Sequence, residues 1–142
     1  MCYTVQQVKG QTDQYKALQS VDEPRLKALL SDQDKAAVTG FEFPTLTVLT
    51  AAQAQNMAWG FIPHWTKAQP LKDLKTKRTQ LLNARSETLF ELSSFKHAAA
   101  QTRCVLPVNG FVEWQTVENR KYPYFIQHNQ LPFLSLAGIY DT

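Results

Sequence analysis

A single domain of mixed α and β structure, weighted towards short strands, is predicted from three observations. Runs rich in β-branched and aromatic residues recur at positions 2–5, 46–50, 111–114, 122–126 and 133–140. Turn-forming residues separate them, among them Gly40, Pro44, Pro63, Asn109-Gly110 and the polar stretch 118–121. Helical spacing of apolar residues is confined to two places, Leu26, Leu29 and Leu30 after Pro24, and Leu89, Phe90 and Leu92. A length of 142 residues, 44% of them hydrophobic, suffices for one core.

The elements follow in order. Residues 2–5 read as a strand that carries the amino-terminal end into a sheet. Residues 11–15 are polar, and Val21-Asp22-Glu23-Pro24 opens a helix that ends near 31–33. Residues 38–44 are aromatic, turn-rich and partly extended, and Pro44 argues against a central strand there. Residues 46–50 form the first convincing strand, with a polar turn at 53–56. Met57-Ala58-Trp59-Gly60-Phe61-Ile62-Pro63-His64-Trp65 starts as a strand and cannot continue as one past Pro63. Residues 72–76 are basic and polar, and Ser86 or Asn83 is placed to cap a helix through Leu89, Phe90 and Leu92. Asn109-Gly110 is the strongest short turn signal, with strand residues 111–114 after it and further strands at 122–126 and 133–140.

Charge and composition narrow the function. The net charge of +3 is uneven: residues 1–62 carry five Lys/Arg against six Asp/Glu, and residues 63–142 carry ten against six. Lys67, Lys72, Lys75, Lys77 and Arg78 fall within twelve residues opposed by Asp73 alone, a local field that attracts phosphates. No run of eighteen apolar residues and no signal-type leader is present, so the expected compartment is the cytoplasm, with no membrane partner. Cys2 and Cys104 are expected to be free thiols there.

Met1-Cys2 carries the most specific chemistry. Removal of one methionine leaves an α-amine and a thiol on adjacent carbons, with reference pKa values of about 7.7–8.0 and about 8.5. That pair can close a five-membered ring on an aldehyde. Glu113 stands among large apolar residues; buried, its carboxyl would titrate high and carry protons near neutrality, whereas strand alternation would instead put it on the wet face. Trp59 and Trp65 offer planar faces that stack on bases or fill a core. His64 has no second histidine or acid at ligand spacing, so neither a metal nor another cofactor is expected.

Residues 1–2, 59–65, 83–88 and 103–114, with Ala137-Gly138-Ile139-Tyr140 as a fifth segment, resemble the SOS response-associated peptidase (SRAP) family. The resemblance runs the length of the chain. It implies an α+β fold, mostly antiparallel β, with a barrel-like core, a few flanking helices and its last elements missing, as one domain over residues 1–142. It also implies a sensor of abasic sites in single-stranded DNA, with an associated autopeptidase activity. Cys2 would be the nucleophile that forms a thiazolidine with the ring-opened sugar, Asn83 would orient the amino-terminal residue and the sugar, and Glu113 would shuttle protons. Arg85 would contact phosphate and Trp59 and Trp65 would line the bound strand. The basic residues Lys75, Lys77 and Arg78 are expected to face the DNA.

Two departures from the family pattern stand out. Tyr3 and Thr4 follow Cys2 where the family has Gly-Arg, which removes one expected phosphate contact. The family's proton-transferring histidine precedes Asn-Arg-Met-Pro, and none of His64, His97 and His128 has that context. Two other readings share parts of the pattern: an amino-terminal-nucleophile hydrolase with Cys2 as thiolate, and a non-catalytic nucleic-acid-binding module.

Overall fold

The computed structural model describes residues 2–7, 35–68, 70–131 and 133–141. The helix expected after Pro24 lies outside them. In chain order the described elements are β1 (Thr4–Gln7), β2 (Lys35–Thr39), a 3-10 turn (Gly40–Glu42), β3 (Thr45–Thr50), β4 (Ala54–Ala58), α1 (Leu71–Gln80), α2 (Lys96–Gln101), β5 (Arg103–Val108), β6 (Gly110–Val117), β7 (Arg120–Ile126) and β8 (Leu134–Ile139). The strands pair antiparallel in two four-stranded sheets, ordered β2-β1-β6-β7 and β4-β3-β5-β8. The expected α+β, mostly antiparallel fold is therefore the fold observed.

The core lies between the sheets. Val5 of β1, Leu46 of β3 and Val108 of β5 are buried together, and Cys2, Val38, Trp59, Leu106, Phe111, Leu134 and Leu136 pack around them. β3 is buried on both faces from Leu46 to Leu49, which explains why its sequence is a nearly continuous apolar run rather than an alternating one.

One buried amide joins the two sheets. The β3–β5 ladder covers only Leu49↔Val105 and Thr50↔Cys104. Beyond it the Gln7 side chain bridges these strands: its Nε2 donates to the carbonyls of Thr47 (2.9 Å) and Pro107 (2.8 Å), and its Oε1 accepts from the Thr47 N–H (2.9 Å). Gln7 is fully buried, and Pro107, which has no N–H, can offer only a carbonyl at this position.

Asn109-Gly110 is a corner and not a hairpin, since β5 and β6 belong to different sheets. The Asn109 N–H donates to Gln6 (2.8 Å), which ties the corner to β1. Glycine is required here by space: a Cβ at Gly110 would lie 2.4 Å from Phe125 Cζ and 2.6 Å from the Ile126 carbonyl oxygen. The hairpin comes one strand later, where Val117 pairs with Arg120 across Glu118 and Asn119, at φ 48° and 64°. β7 is the edge of its sheet and exposed throughout, and Pro123 sits there where its missing N–H costs no ladder bond within the sheet.

Two helical expectations need correction. Residues 86–95 form successive turns, and neither Asn83 nor Ser86 caps a helix; α2 starts at Lys96. Phe90 and Leu92 stay exposed, whereas Phe95, Ala98 and Ala99 are buried, so the apolar stripe that builds the helix begins later than the sequence suggested. The second is α1, a helix where only a basic, polar stretch was read. It buries no residue, so no stripe announces it, yet Pro70 precedes it, Asp73 lies in its first turn and Lys77 and Arg78 in its last.

Candidate active site at the amino-terminal strand

The site begins with a register. Thr4 pairs with Val112, Val5 with Phe111 and Gln6 with Gly110, so the residues preceding Thr4 run beside Glu113. Cys2 is half-buried against the core, and its Sγ–H donates to the Thr4 carbonyl at 3.3 Å. Burial raises the thiol pKa above its ordinary value; a backbone hydrogen bond at Thr4 opposes the rise, and the negative charge of Glu113 adds to it. The thiol therefore rests protonated at neutral pH.

Glu113 departs from the buried-acid expectation. Its carboxyl is held below the usual range, chiefly by a hydrogen bond with the chain's amino-terminal group and further by the backbone N–H of Trp114, which donates to Oε1 at 3.3 Å. Desolvation pushes the other way and loses. Glu113 thus starts ionised beside an ammonium group. An open groove of about 440 Å³ adjoins it, lined by Glu113, Trp114, Gln115, Tyr124 and Ile126.

Asn83 lies in the segment after α1. Its Nδ2 is buried without a hydrogen-bond partner, an arrangement that costs about 1–3 kcal/mol unless something accepts from it. A buried, unpaired donor next to a half-buried indole is what a polar substrate atom would satisfy. The neighbouring Leu82 carbonyl accepts from Trp59 Nε1 at 3.0 Å, and Trp59 packs on the same core cluster as Cys2. Trp59 is therefore half-buried, with its indole tied to the backbone next to Asn83. Trp65, by contrast, is 51% exposed, with Lys77 Nζ 5.8 Å from its ring centroid.

The basic residues divide. Lys75 and Arg85 are exposed, and Lys77 is half-buried beside Trp65. Arg78 is turned inward: Nη2 donates to the Trp59 carbonyl (2.7 Å), Nε to the Gly60 carbonyl (3.2 Å), and the guanidinium lies 4.3 Å over Phe43. Sequence reasoning missed one cluster. The His64 N–H and Nδ1 meet Asp141 Oδ2 at 2.7 and 3.0 Å, and the His97 ring stacks at a tilt 4.9 Å from that of His64. No short-range spacing signals it, because the three residues come from distant segments. No group of three His, Cys, Asp or Glu suited to a metal is found among the described residues. No helix among them is long and apolar enough to cross a membrane.

Two antiparallel four-stranded sheets, with Cys2 half-buried ahead of β1 and a carboxylate on the neighbouring strand β6, define the class of fold and candidate site. The sequence profile of SOS response associated peptidase (SRAP) matches residues 2–142, and the chain belongs to that family. It is 39% identical over 87 residues to an abasic site processing protein of Saccharomyces cerevisiae, over 61% of this chain and 23% of the yeast protein. It is 38% identical over 78 residues to the abasic site processing protein HMCES of Mus musculus, over 53% of this chain and 21% of the mouse protein. A crystal structure of a Bacteroides thetaiotaomicron protein superposes with a TM-score of 0.79 at 31% identity, over 99% of this chain and 60% of that one. A Bordetella bronchiseptica protein, at 22% identity and a TM-score of 0.75 over 64% of its chain, shares the fold. The aligned region spans under a quarter of the yeast and mouse relatives.

Proposed function

We propose that this chain captures abasic sites in single-stranded DNA as a covalent thiazolidine on Cys2, after autoproteolytic removal of Met1. The observation that carries the reading is the β1–β6 register, which runs the chain ahead of Thr4 beside Glu113, so that the Glu113 charge acts on the half-buried Cys2 thiol, in a chain of the SRAP family. Abasic site processing is what the names of the yeast and mouse relatives state.

The chemistry follows from the protonation states. Glu113 is ionised at the outset, so it must take a proton before it can give one; once Met1 is gone, the Cys2 ammonium is the donor in this reading. The freed α-amine of Cys2 attacks the aldehyde carbon of the ring-opened sugar and forms a carbinolamine. Glu113 returns the proton to the departing hydroxyl, water leaves and an imine forms. The Cys2 sulfur then adds to the imine carbon, its proton passing through Glu113 to nitrogen. One C–N and one C–S bond are made, the C=O bond is lost, and one water is released. In this reading the Asn83 amide, whose Nδ2 is buried and unpaired, holds a polar atom of the amine or sugar. Trp65, Lys75, Lys77 and Arg85 supply an exposed aromatic face and cations suited to a DNA strand without base reading.

Intact-mass measurement before and after incubation with a single-stranded oligonucleotide carrying one abasic site tests this. Loss of Met1 and an adduct that survives denaturation and disappears in Cys2→Ala are expected. Met1-free protein that gives no adduct refutes the capture chemistry.

A further inference from the structure

The structure assigns Arg78 a role other than phosphate binding: we propose that it is a positioning residue, locking the Trp59-Gly60 turn so that Trp59 fixes the backbone at Leu82 and with it the amide of Asn83. The proposal rests on the reading of Asn83 as a site residue.

The network is continuous. Arg78 donates from two nitrogens to successive carbonyls, Trp59 (2.7 Å) and Gly60 (3.2 Å), a forked contact that a lysine cannot reproduce. Trp59 in turn donates its indole N–H to Leu82 (3.0 Å), the residue before Asn83. A parallel strut runs alongside, from the Phe61 N–H to the Leu81 carbonyl (3.3 Å), while the Trp59 N–H reaches Pro44 (2.8 Å). The segments at 59–61 and 81–82 are thus bound to each other at two points, and Arg78 ties the first of them to the end of α1.

The local backbone is built around this contact. Gly60 has φ +110°, and a Cβ there would lie 3.0 Å from both Arg78 Nε and Phe43 Cδ1. Phe43 itself holds φ 52°, an unfavourable conformation for a bulky residue that persists only where its surroundings fix it. Its ring is the face on which the Arg78 guanidinium rests, at 4.3 Å. Gly40 completes the enclosure, since a Cβ there would come within 3.0 Å of the Trp59 ring and 3.2 Å of Leu82. Two glycines and one strained phenylalanine are spent on bringing Arg78 and Trp59 together, which surface contact with a phosphate would not require.

The test compares wild-type chain with Arg78→Lys, Arg78→Met, Trp59→Phe and the Arg78→Met/Trp59→Phe pair. Single-turnover adduct formation is measured on an abasic single strand, and reversible binding on an intact strand across a salt series. A positioning role predicts that Arg78→Lys and Arg78→Met both slow the adduct step roughly tenfold or more. Affinity should stay within about twofold and the salt slope should not change. The double variant should be no slower than the slower single, since both cut one network. If lysine restores the rate, and methionine lowers the slope by about 0.7, Arg78 is a phosphate contact and the proposal is overturned. Hydrogen exchange at the Trp59 indole N–H gives a second reading that needs no adduct. Loss of its protection in Arg78→Met, with Leu46 and Val48 still protected, supports the lock even if the wild type forms no crosslink. Retained protection overturns it.

Discussion

Replacing Gln7 with leucine should destabilise the chain by about 3 kcal/mol, within a factor of two. Leucine fits the same space approximately but makes none of the three bonds of 2.8–2.9 Å, so the Thr47 N–H and the carbonyls of Thr47 and Pro107 are left unpaired in a fully buried position. Each such group costs about 1–3 kcal/mol, the N–H most because it has one hydrogen to place. The apolar surface that leucine buries offsets about 1.5–3 kcal/mol of the total. Urea unfolding of both proteins reads the difference as a shift in midpoint at unchanged slope. A loss below about 0.5 kcal/mol would refute the claim that this amide joins the sheets, since surface substitutions alone reach that size.

Other perturbations follow from the same structure. Gly110→Ala should lower the melting temperature by several degrees, a cost of about 2 kcal/mol, because the Phe125 ring can swing away but the Ile126 carbonyl, 2.6 Å from the new Cβ, is held in place; differential scanning calorimetry reads it. Burial pushes the Cys104 thiol from an ordinary 9.0 up to about 11, so the folded chain holds this proton more tightly than the unfolded one. Stability should therefore be complete below pH 9 and fall as pH rises towards about 11, and Cys104→Ala should flatten that fall in denaturation curves taken across the range. Alanine at Arg85, Lys75 or Lys77 should each reduce the slope of log affinity for single-stranded DNA against log salt by about 0.7, and an unchanged slope removes that residue from the DNA surface.

The parts of the fold legible in the sequence were those decided locally. Residues 46–50 form β3 because a β-branched apolar run has few other uses, and the pairing of Val117 with Arg120 follows from a polar two-residue turn. Asn109-Gly110 was legible as a change of direction, but the sequence could not show that the flanking strands part into different sheets, because that depends on Gln6 and Phe125 from elsewhere in the chain. α1 was hidden because it buries nothing, and α2 was misplaced because Phe90 and Leu92 are exposed in spite of their apolar character. At the site, the residue types were readable but their electrostatics were not. Glu113 was open to two readings, a buried acid pushed up or a residue on the wet face, and a hydrogen bond with the terminal group holds its carboxyl low instead. Arg78 read as one more cation in a basic run, and its geometry turns it inward.

In the proposed reading, the arrangement around β1 lets loss of Met1 expose the Cys2 aminothiol without refolding. The ladder contacts of this strand start at Thr4, which pairs with Thr39 on one side and Val112 on the other, and Gln7 pins its far end. Loss of Met1 therefore moves the amine by one residue, about 3.3 Å along an extended chain, while the Cys2 thiol keeps its place against the core. The amine passes from Met1 to the carbon that bears the Cys2 side chain, on a chain that the antiparallel register, with Thr4 opposite Val112, runs alongside Glu113. Before that step the terminal ammonium favours the ionised Glu113 carboxylate, and in this reading the same carboxylate serves the Cys2 aminothiol afterwards. In this reading one carboxylate serves first the removal of Met1 and then the capture of an aldehyde, because the β1–β6 pairing fixes the strand that leads to Cys2.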